Sequence, residues 1–331
     1  MLVPAAAHAL GARELGVVVN TDDPQSIAVG VYYAEQRRIP PGNVVELALG
    51  APRETLDPAS FERAKRQLDE QLPPAVQALA LTWTYPFRVG CMSVTSAFAF
   101  GYAPRYCAEG CKATAPNPYY DAASTRPWDD FRMRPAMLLA ASSFANAEQL
   151  IDRGRRSDRT GARTPGRAYL VVTPERARST RAPAFPAIRA ALGDRLPIEL
   201  VQAAGIRDRY DVRFYFTGIA RVPWLETLGF LPGALADHLT STGGVLNGEH
   251  QMSVLRWLEA GATASYGTVV EPCNFPQKFP NPAIAMRRYL DGETAIEAYW
   301  KSVAWPGQGL FVGEPLARPF GNGAAGDAAA E

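Results

Sequence analysis

Short apolar runs alternate with segments of helical spacing along most of the chain. Leu15 to Asn20 (LGVVVN) is a continuous apolar run closed by a turn signal, as expected of a strand buried on both faces. Thr21-Asp22-Asp23-Pro24 can cap a helix, and Ser26 to Arg38 carries helical spacing through Ile27, Val31, Tyr32 and Ala34 before Pro40-Pro41 stops it. Val44 to Leu47 reads as the next strand, Asp57 to Leu72 as a helix, and Ala78 to Thr84 (ALALTWT) as a third buried strand. Strand–helix–strand order of this kind opens a doubly wound parallel sheet.

The pattern lapses from Gly90 to Pro135, a stretch rich in Gly, Pro, Tyr and Cys that is longer than a simple connection. It resumes with a strand at Met137 to Ala140, a helix at Ala145 to Gly154 and a strand at Ala168 to Thr173. Strand-like runs follow at Asp211 to Thr217 and Ala234 to Thr240. The last elements are a helix at Gln251 to Ala260, a strand at Ala262 to Val270, a helix at Thr294 to Val303 and a short strand at Leu310 to Gly313. The expected fold is α/β: a mostly parallel sheet, helices on both faces and a loop-rich insertion over 90–135. It forms one domain over 10–320, followed by a disordered Gly/Ala-rich tail over 321–331.

Composition agrees with a globular chain: 331 residues, 47% hydrophobic, 20% charged. A formal net charge of +1 gives no broad footprint for nucleic acid. Aspartates and prolines interrupt the arginines between Arg153 and Arg181, so that run reads as a solvated loop. No segment approaches the roughly 18 apolar residues of a membrane span. Ala7-His8-Ala9 is a small-x-small pattern like the end of a secretory leader, so residues 1–9 are expected to be its remnant and the mature chain to begin near Leu10. The expected location is therefore periplasmic or extracellular. Four cysteines suit two disulfides in such a compartment: a local Cys107–Cys111 bridge leaves Cys91 and Cys273 as a long-range pair. A zinc site of all four is the alternative, but the paired CxxC spacing is missing.

Open α/β sheets place ligands at the carboxyl ends of their strands. That rule selects Asn20, Tyr85, Gly218, Ser241 and Glu271 as cleft residues. Nothing in the sequence matches a P-loop, a GxGxxG turn, an HExxH helix or a G-x-S-x-G elbow, and no metal or cofactor is expected. What remains is Gly233 to Gly244 (GALADHLTSTGG). There Thr240 and Ser241 offer hydroxyls, Gly243 and Gly244 offer backbone amides for an oxyanion, and His238 or His250 is the nearest base. Alone, His238 is better read as a packed core residue. Glu271 is a candidate acid/base, or a partner for an arginine such as Arg318.

Two resemblances extend this reading. The segments VVVNTDDPQSIAVGVYYAEQRRIPPGNVVEL, ADHLTSTGG, QMSVLRWLEAGATASYGTVVEPCNFPQKFPNP, EAYWKSVAWPGQGLF and GEPLARPF resemble an uncharacterised bacterial family of exosortase-carrying species. That resemblance implies export and an exosortase context, without an activity. FYFTGIA, LTSTGG, GATASYG, EAYWKS and GEP are also similar to the corresponding stretches of gingipain-type cysteine peptidases, which have a caspase-like α/β fold. That likeness implies a nucleophile strand at Ala234 to Thr240. Ile219 stands where the family's histidine would be, and Ser241 or Thr240 where its cysteine would be. The expected function is an exported caspase-like scaffold that lacks the cysteine dyad and binds a protein segment or surface polysaccharide. The alternative is a hydrolase or transpeptidase with Ser241 as nucleophile.

Overall fold

A computed structural model describes residues 9–108 and 111–321. The expected tail beyond Gly321 and most of the leader remnant lie outside these residues. Among the described residues thirteen strands run in chain order: β1 Leu15–Asn20, β2 Val44–Leu47, β3 Thr55–Leu56, β4 Ala78–Leu81, β5 Arg88–Val89, β6 Met92–Ser93, β7 Ala136–Leu138, β8 Arg167–Val172, β9 Ile198–Gln202, β10 Arg209–Thr217, β11 Leu228–His238, β12 Ala264–Thr268 and β13 Gly309–Gly313. The α-helices are α1 Pro24–Arg37, α2 Pro58–Gln71, α3 Val94–Phe100, α4 Pro127–Phe131, α5 Phe144–Ser157, α6 Phe185–Leu192, α7 Leu255–Glu259, α8 Pro282–Leu290 and α9 Ala295–Ser302.

Ten strands form one sheet in the order β2-β1-β4-β7-β13-β12-β11-β10-β8-β9, and β3, β5 and β6 form a small second sheet. Pairing is parallel within β2-β1-β4-β7 and within β12-β11-β10-β8-β9, and β13, between the two groups, runs antiparallel to β12, where Ala264 faces Gly313 and Thr268 faces Gly309. The expected mostly parallel α/β sheet is therefore present. The loops that follow β1, β4 and β7 and those that follow β10 and β11 meet at one edge of the sheet.

Right-handed crossovers fix where the helices sit. The chain steps from β1 to β2 in one direction, then from β2 back past β1 to β4 in the other. Those opposite steps put α1 and α2 on opposite faces. Asp23 caps α1 by accepting from the Gln25 amide at 2.9 Å, and Asp57 does the same for α2 through Ser60 at 2.9 Å. Phe61 of α2 meets Phe98 of α3 edge-on at 5.1 Å. Trp300 of α9 stacks on Phe311 of β13 at 4.3 Å.

The insertion over 90–135 is more ordered than its composition suggests. It contains β6, α3 and α4, and Asn117 anchors it by donating to the Trp300 and Val303 carbonyls. Its cysteines pair differently from the expectation. The bridges are Cys91–Cys107 and Cys111–Cys273. Cys111 turns away from its neighbour Cys107 toward the loop after β12, where Cys273 lies with its Cα 5.4 Å distant. Non-reducing peptide mapping should recover these two cross-linked pairs; a Cys107–Cys111 peptide would contradict the arrangement.

The arginine run over 153–181 is solvated only in part: Arg155, Arg156, Arg159, Arg163 and Arg176 are exposed, but Arg153 and Arg181 are not. Arg153, in α5, donates to the Leu258 and Ala262 carbonyls, and burial pulls its guanidinium down to about 10. Arg181 is buried in an ion pair with Asp237 of β11. The helix expected over Gln251 to Ala260 shortens to α7, because the backbone before it is tied elsewhere: the Met252 amide donates to Ala220 O and the Val254 amide to Gly243 O.

Candidate functional site

At the carboxyl edge of β10 and β11, each hydroxyl and ring nitrogen must be followed to its partner. His238 ends β11 and is buried. Its Nδ1 lies 2.9 Å from Trp257 Nε1, and its Nε2 lies 3.0 Å from the Met252 carbonyl. An indole nitrogen only donates, so Nδ1 accepts and the imidazole proton sits on Nε2, directed at Met252 O. Both nitrogens are thus engaged. Burial, with Arg181 and Arg178 nearby, lowers the His238 pKa to about 4 despite the opposing bond to Met252. This ring is neutral near pH 7, and both its nitrogens are committed to Trp257 and Met252.

The Thr240 hydroxyl is equally committed. It donates to Gln251 Oε1 at 2.7 Å and accepts from Arg178 Nε at 3.0 Å. Arg178 in turn pairs with Glu175 at 2.8 Å, and Glu175 accepts from the Ala220 amide. Ser241 is half-buried, its carbonyl accepting from Thr268 Oγ1 at 2.9 Å; no described side chain hydrogen-bonds its hydroxyl. The Gly244 amide donates to Thr268 O at 2.9 Å and is not free for an oxyanion. Gly243 gives its carbonyl to the Val254 amide. A Cβ on Gly218 would stand 1.8 Å from the Arg178 carbonyl, so glycine there serves close backbone packing and not an open approach. His250 lies exposed in the following loop. Glu271 folds back onto the Cys273 amide at 2.8 Å.

The same edge carries a wide opening. Between β1 and β4 the winding direction reverses, and that reversal leaves a crevice in which open α/β sheets hold ligands. A cleft of about 780 Å³ occurs there. Asp23 borders it after β1, Thr84 and Tyr85 after β4, and Ser142 after β7. The far wall comes from the other half of the chain, through Arg221, Leu246, Gln251 and Arg256. Tyr85 is the one residue selected from sequence that borders this cleft. Its phenol is held above the ordinary range by burial and by the Glu54 carboxylate. Asn20 is at the same edge but fully buried: its Oδ1 accepts from the Asp22 and Leu49 amides and its Nδ2 donates to Gly50 O, so it ties β1 to β2.

Of the residues chosen as one cleft, Tyr85 lines it and Asn20 is buried at the end of β1; Gly218, Ser241, Gly243, Gly244 and Glu271 do not line it, although Thr240 bonds to Gln251, which does. Sequence reasoning missed the far wall of the cleft altogether. Arg221 and Arg256 sit in ordinary polar contexts, and only the path of the loops after β10 and β11 brings them opposite Tyr85.

No family model matches the chain, and neither does any curated protein. Among solved structures, it is similar to the Arg-specific cysteine proteinase gingipain R, with a TM-score of 0.48 at 10% identity over 95% of this chain and 80% of that one. A complex of the pro- and mature domains of RgpB from Porphyromonas gingivalis gives 0.47 at 9% identity, covering 92% and 79%. A third structure, described only as a protease, gives 0.42 at 12% identity, covering 93% and 78%.

Proposed function

We propose that this is an exported, caspase-like scaffold protein that binds and does not hydrolyse. Its ligand is a segment of another exported protein or a surface polysaccharide, held in the cleft beside Tyr85. The observation that carries this reading is the state of His238: with both ring nitrogens bonded, it supplies no base to Ser241, and the four cysteines are bridged and supply no thiolate. Two disulfides support the exported location. Among the described residues, no helix is long and apolar enough to cross a membrane.

The lining suits an uncharged polar chain. Acidic Asp23, Glu226 and Glu259 are set against basic Arg221 and Arg256, with hydroxyl and amide groups between them. Such a surface offers hydrogen bonds without a strong field of either sign. The test uses cell-surface polysaccharide and the exported-protein fraction, each immobilised on a biosensor. The wild-type protein should be retained by one of them, and Tyr85→Ala combined with Arg221→Ala should weaken retention about tenfold or more while near-UV circular dichroism is unchanged. Unchanged retention of the double variant, or no retention of the wild type on either surface, would refute the cleft as the binding site.

A further inference from the structure

Leu10 enters the fold beside α9. It is 2% exposed, and its backbone amide donates to Glu297 Oε2 at 3.2 Å across 287 positions of sequence. Glu297 is completely buried. The same oxygen accepts from the Thr294 amide and hydroxyl, while Oε1 has no hydrogen-bond partner. Among the described residues no cation pairs with this carboxylate. Lys301, one turn further along α9, gives its ammonium to Glu293 Oε1 at 2.8 Å, and Arg288 is shared between Asp121 and Glu293. Tyr119, the remaining titratable group nearby, has a buried hydroxyl without a hydrogen bond. A buried carboxylate with one bare oxygen and no direct counter-ion is costly to hold.

The missing charge is one bond away. We propose that proteolysis between Ala9 and Leu10 completes this site, and that the α-ammonium so released forms an ion pair with Glu297. Hydrolysis breaks the Ala9–Leu10 amide; water's hydroxyl goes to the Ala9 carbonyl carbon, and Leu10 leaves as an amine that takes up a proton. The new group carries three donors where the amide carried one, so it can keep Oε2 and reach Oε1. The Ala7-His8-Ala9 pattern fits a leader-type endopeptidase that selects small residues. Because Leu10 is buried, cleavage precedes folding, and the freed terminus then locks β1 to α9. This inference is independent of what the cleft binds.

Two measurements test it. N-terminal sequencing of the protein recovered from its native cells should begin at Leu10; any other first residue overturns the assignment. Urea unfolding should then compare chains beginning at Leu10 and at Ala9, which moves the ammonium by one residue. The Leu10 form should have a folded-to-unfolded ratio about tenfold higher, and Glu297→Gln should abolish that advantage. Equal stability of the two wild-type forms overturns the ion pair, whether or not the Gln variant folds.

Discussion

Replacing Arg181 with methionine should destabilise the protein by about 3–5 kcal/mol in urea unfolding at pH 7. The guanidinium donates to the Thr217 and Pro280 carbonyls and pairs with Asp237 at 2.6 Å. Apart from that contact neither Asp237 oxygen has a hydrogen-bond partner, and burial pushes its carboxyl pKa upward against the pull of Arg181. Asp237 thus depends on a single cation for compensation. Without it, the carboxylate must stay charged in an apolar setting or take up a proton, and two carbonyls lose their donors. The double variant Arg181→Met with Asp237→Leu should recover much of the loss, because removing both charges also removes the cost of burying them. A double variant as unstable as the single one would show that the pair is not the source.

His238→Phe should cost about 2–5 kcal/mol, since the Trp257 indole N–H and the Met252 carbonyl are each left without a partner in the interior, at about 1–3 kcal/mol apiece. The native residue also makes stability depend on pH, with a sign that can be checked. Its pKa is about 4 when folded, against about 6.5 when unfolded, so the unfolded chain binds the extra proton between those values. The contribution is fully present above pH 6.5 and is lost as pH falls toward 4, amounting to about 3 kcal/mol. Glutamine at this position can offer an amide donor to Met252 and a carbonyl to Trp257 without titrating. Unfolding of His238→Gln across that range should therefore show a shallower acid slope than the wild type; parallel slopes would mean that His238 is not the group responsible.

Much of the fold was legible because buried parallel strands are written as continuous apolar runs. LGVVVN and ALAL became β1 and β4, and the caps Asp23 and Asp57 stand where they were expected. The strand Ile198–Gln202 was not apparent, since IELVQ is half-exposed at the sheet edge and carries no clean pattern. Nor was α8, whose start at Pro282 follows a Pro- and Asn-rich stretch that reads as loop. The site was less legible than the fold. The rule of strand ends selected Tyr85, which borders the large cleft, but local sequence does not say which distant loops arch over a strand end. The loops after β10 and β11 form the far wall, and no pattern within them marks that role. Likewise, His238 beside Ser241 in sequence suggested a pair. The strand's direction and the return of Met252 and Trp257 over its end give the ring other partners.

The account turns on the carboxyl edge of β10 and β11 having no working nucleophile. Intact-protein mass spectrometry after treatment with a serine-reactive fluorophosphonate tests this most directly, with a serine hydrolase labelled in parallel. The prediction is no mass increase on this protein under conditions that label the control completely. A stoichiometric adduct that maps to Ser241, and is lost in Ser241→Ala, would contradict it.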